Sequence, residues 1–172
     1  DPDSIKALPG IFILPDFELS FHYYSGSRQG GALDVVPKIG HVVAGKLFEV
    51  SEEGWHLLDR KEGAPNVYER KSIPVLAEDG EKTYAVTYVV TPERRQEGFV
   101  TPGKGYAEKV EEGYDNFGIS KKYPWAKKQL QKASKGFVKK SGIEHLFTYG
   151  TLREGESRSH ILSEFSDKVV RD

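Results

Sequence analysis

The chain has neither cysteine nor methionine among its 172 residues. Without cysteine there is no disulfide framework, no thiolate nucleophile and no Cys-ligated zinc. The histidines, His22, His41, His56, His145 and His160, lack the spacing of a ligand set, so no metal site is expected. Charge of one sign is missing too. Lysine plus arginine number 25 against 26 aspartates and glutamates, which leaves the whole molecule without a strong pull toward polyanions or anionic membranes. No apolar run reaches the roughly 18 residues of a membrane span, and nothing near Asp1 has the form of a signal peptide. A cytoplasmic location is the expectation. The glycine-rich Ser25–Gly31 loop lacks the Gly-Lys-Ser/Thr ending of a phosphate-binding loop, and there is no Gly-x-Ser-x-Gly nucleophile elbow. With no methionine even at position 1, Asp1 looks like a processed or excised end.

What is present argues for a packed domain. Hydrophobic residues make up 37% and aromatic ones 12%, too much for a disordered chain, and the length suits one core. Ile11–Leu14 is an apolar run, and Phe17, Leu19, Phe21 and Tyr23 then alternate with polar neighbours as in a half-buried strand. Ser25–Gly31 reads as a flexible loop, and His41–Val50 as another strand with Val42, Ala44, Phe48 and Val50 on one face. Ser51 suits a helix N-cap ahead of Glu52 and Glu53, and Gly63 suits the stop. Val67–Leu76 and Glu81–Val90 are joined at Asp79-Gly80 as a hairpin. The second of these runs is apolar on both faces and is expected to be central. Thr91–Gly105 reads as a loop, Tyr106–Tyr114 and Tyr123–Ser134 as helices. A strand over Ile143–Tyr149 then opens through Gly150 into a helix reaching Phe165. The fold class is α+β, with strands mostly antiparallel by connection length. Residues 1–134 form the body, 135–142 a basic linker and 143–172 a further strand–turn–helix.

Three constellations carry chemistry. Glu62, in Leu58-Asp59-Arg60-Lys61-Glu62-Gly63, ends a helix just before a loop and strand. A carboxylate among apolar and aromatic neighbours at such a junction can serve as a general base, although a glutamate at a helix end is more often only solvated. Tyr149-Gly150-Thr151-Leu152-Arg153 runs from a strand through glycine into a helix, where unpaired N–H groups and the helix dipole attract an anion; the ordinary alternative is a tight turn. The lysines at 121, 122, 127, 128, 132, 135, 139 and 140, with Tyr123, Trp125 and Phe137 among them, could contact RNA. A solvated helix face is the commoner use of such a run, and no nucleic-acid partner is expected.

Taken together, the first two constellations resemble the γ-glutamylcyclotransferase (AIG2-like) family. The resemblance rests on Tyr149-Gly150-Thr151-Leu152-Arg153, Gly45-Lys46-Leu47-Phe48, Leu58-Asp59-Arg60-Lys61-Glu62-Gly63 and Tyr68-Glu69-Arg70, with Gly30-Gly31-Ala32-Leu33 ahead of the Gly-x-Leu segment. The order differs: the Tyr-Gly-Thr-Leu segment opens members of the family and here comes last. A circular permutant would explain this, and so would a piece of a tandem protein, with segment exchange between copies as a route to a complete site.

The resemblance implies a compact mixed, barrel-like sheet with flanking helices and a small γ-glutamyl substrate. It also implies a reaction without metal or cofactor that yields 5-oxoproline and a free amine. It makes Glu62 the catalytic acid/base, with Tyr149, Gly150, Thr151, Leu152 and Arg153 binding substrate and Tyr106 walling the cavity. A non-catalytic ligand-binding or interaction module of the same fold is the alternative, and a basic-patch RNA-binding domain the third.

Overall fold

In the computed structural model the described residues are 5–136. The expected strand–turn–helix over 143–172, and with it Tyr149–Arg153, lies outside them.

The first long element is β2 (Phe12–Ser25), preceded by β1 (Ile5–Ala7). The apolar run at residue 11 and the alternating stretch from Phe17 belong to one strand rather than two. The join is a register shift between Pro15 and Phe17, where Asp16 takes a φ of 59° and its carboxylate accepts from the Gly40 N–H at 2.8 Å. The shift restores the alternation, so Leu14, Phe17, Leu19 and Phe21 all face the core.

The expectation of a single strand over His41–Val50 needs correcting. β3 spans Gly30–Gly45, so the strand starts eleven residues earlier, and β4 is a separate short strand at Phe48–Val50. β4 pairs with β1, and β3 pairs along β2. Ala44 is buried but Phe48 is 42% exposed, so the four apolar residues assigned to one face do not share one.

Helix α1 (Glu52–Glu62) connects to the hairpin of β5 (Tyr68–Leu76) and β6 (Lys82–Val90). Its turn is the one expected: Gly80 has φ 86°, and the Asp79 carboxylate accepts from Glu81 N–H at 2.9 Å. The larger sheet has the order β3-β2-β5-β6, and the pairings between its strands are antiparallel. Among the described residues β6 pairs only with β5, and Tyr84 is 68% exposed on it. The sheet also curls. Val90 of β6 donates its N–H to the Asp34 carboxylate of β3 at 3.2 Å, so the two outermost strands in that order approach each other as in a barrel.

Helices α2 (Tyr106–Asn116), α3 (Ile119–Lys122) and α4 (Pro124–Ser134) follow a loop. α4 begins with proline at its first turn and buries Ala126, Leu130 and Ala133. Leu130 packs into the cluster of Leu14, Phe17, Leu19, Val43, Ile73 and Val75, which makes α4 the lid on one face of the sheet. Of the lysines singled out above, Lys127, Lys128 and Lys132 lie on α4 and Lys121 and Lys122 on α3. Lys127 binds the Asp115 carboxylate at 2.9 Å, and Lys122 is paired with Glu78. No helix among the described residues is long and apolar enough to cross a membrane.

Candidate active site

Glu62 owes its place to the two ends of α1. At the N-terminus the Ser51 side chain accepts from Gly54 N–H at 3.1 Å, with Glu52 and Glu53 in the first turn, where the helix dipole favours negative charge. At the other end Gly63 adopts the left-handed conformation, φ 66°, and its carbonyl accepts from Asn66 and Val67 N–H groups at 3.0 and 2.9 Å. The helix therefore stops directly after Glu62, and the chain folds back into β5 within a few residues. Glu62 is half-buried at this corner.

A second device fixes α1 against the sheet. Arg70 of β5 grips Asp59 with two parallel bonds, Nε to Oδ1 at 2.8 Å and a terminal guanidinium nitrogen to Oδ2 at 2.7 Å. Tyr88 of β6 donates to Asp59 Oδ1 at 2.6 Å, and the guanidinium lies 4.4 Å from the Trp55 ring centre. The Tyr88 hydrogen bond, followed by that from Arg70, holds the Asp59 carboxyl below the usual range. Asp59 and Arg70, known from sequence only as parts of motifs around Glu62, form a clamp one helical turn before it.

Beside Glu62, the first residue of β5 is Tyr68, whose ring meets Tyr23 of β2 edge-on at 5.8 Å. Burial pushes the Tyr68 hydroxyl well up from its ordinary value; Tyr106, Asp34 and Glu62 push it the same way, and Arg28 opposes them. The hydroxyl thus lies within electrostatic reach of all four groups, which come from α2, β3, α1 and the β2–β3 loop.

Tyr106 begins α2 and packs its ring edge-on to Phe21 at 6.3 Å. Its hydroxyl oxygen accepts from Leu33 N–H at 3.4 Å, and the Arg28 guanidinium sits 4.4 Å over its face. Asp34 has a fully buried side chain. It accepts from Val35 N–H at 2.8 Å and Val90 N–H at 3.2 Å, lies 2.6 Å from His22 Nε2 and 3.8 Å from Arg95.

Of the residues expected from sequence, Glu62 stands at the end of α1 and Tyr106 at the start of α2, and both act electrostatically on Tyr68. Tyr149, Gly150, Thr151, Leu152 and Arg153 fall outside the described residues. Sequence reading named Tyr68 only within a motif, and it missed Asp34 with His22, and Arg28. Asp34 carried a signal, a lone carboxylate inside the apolar run Ala32-Leu33-Asp34-Val35-Val36, because a buried charge needs a built environment. Arg28 carried none, since the glycine and serine around it read as flexible.

Two of those glycines are tightly packed. An added Cβ at Gly31 would overlap the Val100 carbonyl, one at Gly30 the Gly103 backbone, and one at Gly103 the Arg28 carbonyl. Gly31 N–H donates to the Thr101 carbonyl at 2.7 Å and Val100 N–H to that of Phe21 at 2.8 Å. The Thr91–Gly105 segment is thus laid backbone to backbone on the β2–β3 loop.

Among the described residues, two open clefts stand out, and neither is lined by Glu62. One of about 470 Å³ runs beside Gly10, Lys46, Glu78 and Lys121; another of about 580 Å³ lies between Pro65, Asn66, Thr91 and Arg94, just past the turn that follows Glu62.

Comparison with known proteins decides the family. The family model for gamma-glutamyl cyclotransferase, AIG2-like, matches residues 15–109. The chain belongs to that family. The matched stretch contains Arg28, Asp34, Asp59, Glu62, Tyr68, Arg70 and Tyr106, the whole of the arrangement just described. Among solved structures, an uncharacterized protein from Homo sapiens is similar with 20% identity and a TM-score of 0.64, over 75% of both chains. A structure titled gamma-glutamyl cyclotransferase is similar with 19% identity and the same TM-score of 0.64, again over 75% of both chains. At such identities these two show the α+β fold of antiparallel sheets with flanking helices. No curated protein sequence matches the chain.

Proposed function

We propose that the chain is a γ-glutamyl cyclotransferase in which Glu62 is the general acid and base. In this reading the substrate's own α-amine attacks its γ-carbonyl carbon. The amine is an ammonium at neutral pH, so a proton must leave before its lone pair can attack. That proton passes to solvent, and Glu62 takes a second one from the attacking nitrogen as the new C–N bond forms and the carbonyl electrons move onto oxygen. The oxyanion then collapses, the bond to the leaving nitrogen breaks, and protonated Glu62 returns the proton to that nitrogen. The products are 5-oxoproline and a free amine or amino acid.

The closure is intramolecular and needs no cofactor or metal. The enzyme's main task is to hold one bent glutamyl conformer, and such ordering is worth several kcal/mol or more. The N–H groups of Gly150, Thr151 and Leu152, with Arg153 nearby, would receive the α-carboxylate or the developing oxyanion. Tyr106, Tyr149 and Tyr68 would form the aromatic walls.

The observation that supports this reading is Glu62 itself, half-buried at the end of a helix that Arg70 and Tyr88 clamp through Asp59, in a chain of this family. Its test is incubation with a panel of γ-glutamyl amides and γ-glutamyl amino acids, followed by assay of 5-oxoproline. Wild-type protein should release it. Glu62→Gln should cut turnover by about 100-fold or more with the fold intact, the usual size of a general-base effect. Near-normal turnover in that variant removes Glu62 from the mechanism. Silence of the wild type across the panel favours a non-catalytic ligand-binding module instead.

A further inference from the structure

The lysine run read from the sequence is only partly neutralised by the fold. Lys127 is held by Asp115 and Glu111, and Lys122 by Glu78. Among the described residues Lys121 has no carboxylate within ion-pair distance, and neither has Lys46, just ahead of β4. Lys46, Lys121 and Lys122 all line one cleft, the opening of about 470 Å³ that also meets Gly10, Glu78 and Phe117. None of the residues placed in the candidate active site lines it.

The charged groups of this cleft are anchored. Lys46 donates from Nζ to the Gly10 carbonyl at 2.7 Å, which holds the ammonium at the rim with further N–H donors to spare. Glu78 accepts from Ile11 N–H at 3.2 Å and pairs with Lys122, so its position is set by both β2's approach and α3. Three ammonium groups therefore share a single carboxylate, and the cleft keeps an excess of positive charge. Its remaining wall is aromatic. Phe117 is 43% exposed, and its ring is braced by Phe48 in an edge-on contact at 5.7 Å.

A fixed ring facing water beside uncompensated ammonium groups matches a ligand with the complementary two parts. A phosphate monoester carries about −1.5 to −2 charges at pH 7, which meets the excess, and lysine binds phosphate as a point charge. A nucleobase offers a flat face to an aromatic side chain. The volume falls within the roughly 300–1,000 Å³ of small-ligand sites, room for one nucleotide rather than a strand.

We propose that this cleft binds a nucleoside monophosphate, with the phosphate among Lys46, Lys121 and Lys122 and the base against Phe117. The site shares no lining residue with the one around Glu62, and its test requires no turnover.

Binding to the full chain is measured by calorimetry with adenosine 5′-monophosphate, inorganic phosphate and adenosine. The nucleotide should bind at least about tenfold more tightly than phosphate, the scale of one base stacked on an aromatic ring, and adenosine should bind more weakly than the nucleotide by a similar factor. Raising the salt should weaken nucleotide binding. Lys121→Gln should lower the nucleotide affinity about tenfold, as loss of one charge-assisted contact does, and Phe117→Leu should erase most of the advantage over phosphate. Lys104→Gln, an exposed lysine outside the cleft, is the control and should change nothing. No binding at millimolar nucleotide, equal affinity for nucleotide and phosphate, or equal losses in Lys121→Gln and Lys104→Gln overturns the proposal. Tighter binding of a single-stranded RNA oligomer than of the nucleotide overturns it too, in favour of an extended surface.

Discussion

Two regions bring residues to the neighbourhood of Tyr68, and they do so by different physics. On the side of α1, β5 and β6, the helix is held by side chains at its exposed flank: Asp59, Arg70, Tyr88 and Trp55. On the side of the β2–β3 loop, backbone lies on backbone, and Gly30, Gly31 and Gly103 are the spaces that allow it. A side-chain clamp weakens by degrees, because water can replace a partly exposed hydrogen bond. A glycine seam does not, because one methyl group placed against a carbonyl must displace a strand.

The sharpest way to break the comparison is therefore on the seam. Gly31→Ala should destabilise the protein by about 2–3 kcal/mol or more, as overpacking of a fixed backbone does, read by chemical denaturation. Gly45→Ala, with nothing within 4 Å of the added Cβ, is the control and should change little. If the two behave alike, the seam is not rigid.

On the clamp the expected losses are smaller in stability and larger in activity. Arg70→Met should leave a folded protein but lower turnover about tenfold, since a catalytic group displaced by a fraction of an ångström loses its alignment. Far-UV circular dichroism and 5-oxoproline assay separate the two effects. Turnover unaffected by the change would show that Glu62 is positioned by its own helix cap alone. Tyr88→Phe removes only the hydroxyl that donates to Asp59 and should cost about 1 kcal/mol in denaturant unfolding, the net value of such a hydrogen bond.

The mildest effect is on pH. Asp59 is held below its ordinary value of 3.8, so the unfolded chain takes up this proton before the folded one does. Stability from the clamp is complete above that ordinary value and is lost as pH falls through the lower folded one. Thermal melts of wild type and Asp59→Asn should therefore converge in strong acid and differ by a constant amount from about pH 5 upward.

Much of this architecture could be read from residues alone because it is local. The cap at Ser51, the stop at Gly63 and the turn at Asp79-Gly80 follow from backbone preferences that act over a few positions. The helices with their apolar stripes were legible for the same reason. The strand over residues 30–40 was not, because its glycines and Pro37 imitate a loop. Gly30 and Gly31 are strand residues through their antiparallel pairing with Ser25 and Tyr24 of β2, and what requires glycine there is the Thr91–Gly105 segment packed against them, some seventy positions away. The neighbours of β6 were not legible for a related reason, since an apolar two-faced strand does not state who they are.

Within the candidate site the division is similar. Glu62 and Tyr106 were legible through motifs, whereas the pairing of Asp59 with Arg70, and the meeting of Asp34 with Val90, depend on how the sheet curls.

By itself, the order of amino acids determined the α+β class, the helix ends and the carboxylate at the end of α1, all set by interactions between near neighbours. Only the tertiary structure decided that the Arg28 guanidinium lies over Tyr106 and that the Asp34 carboxylate meets Val90. Those contacts join residues far apart in the chain, and no local preference encodes them.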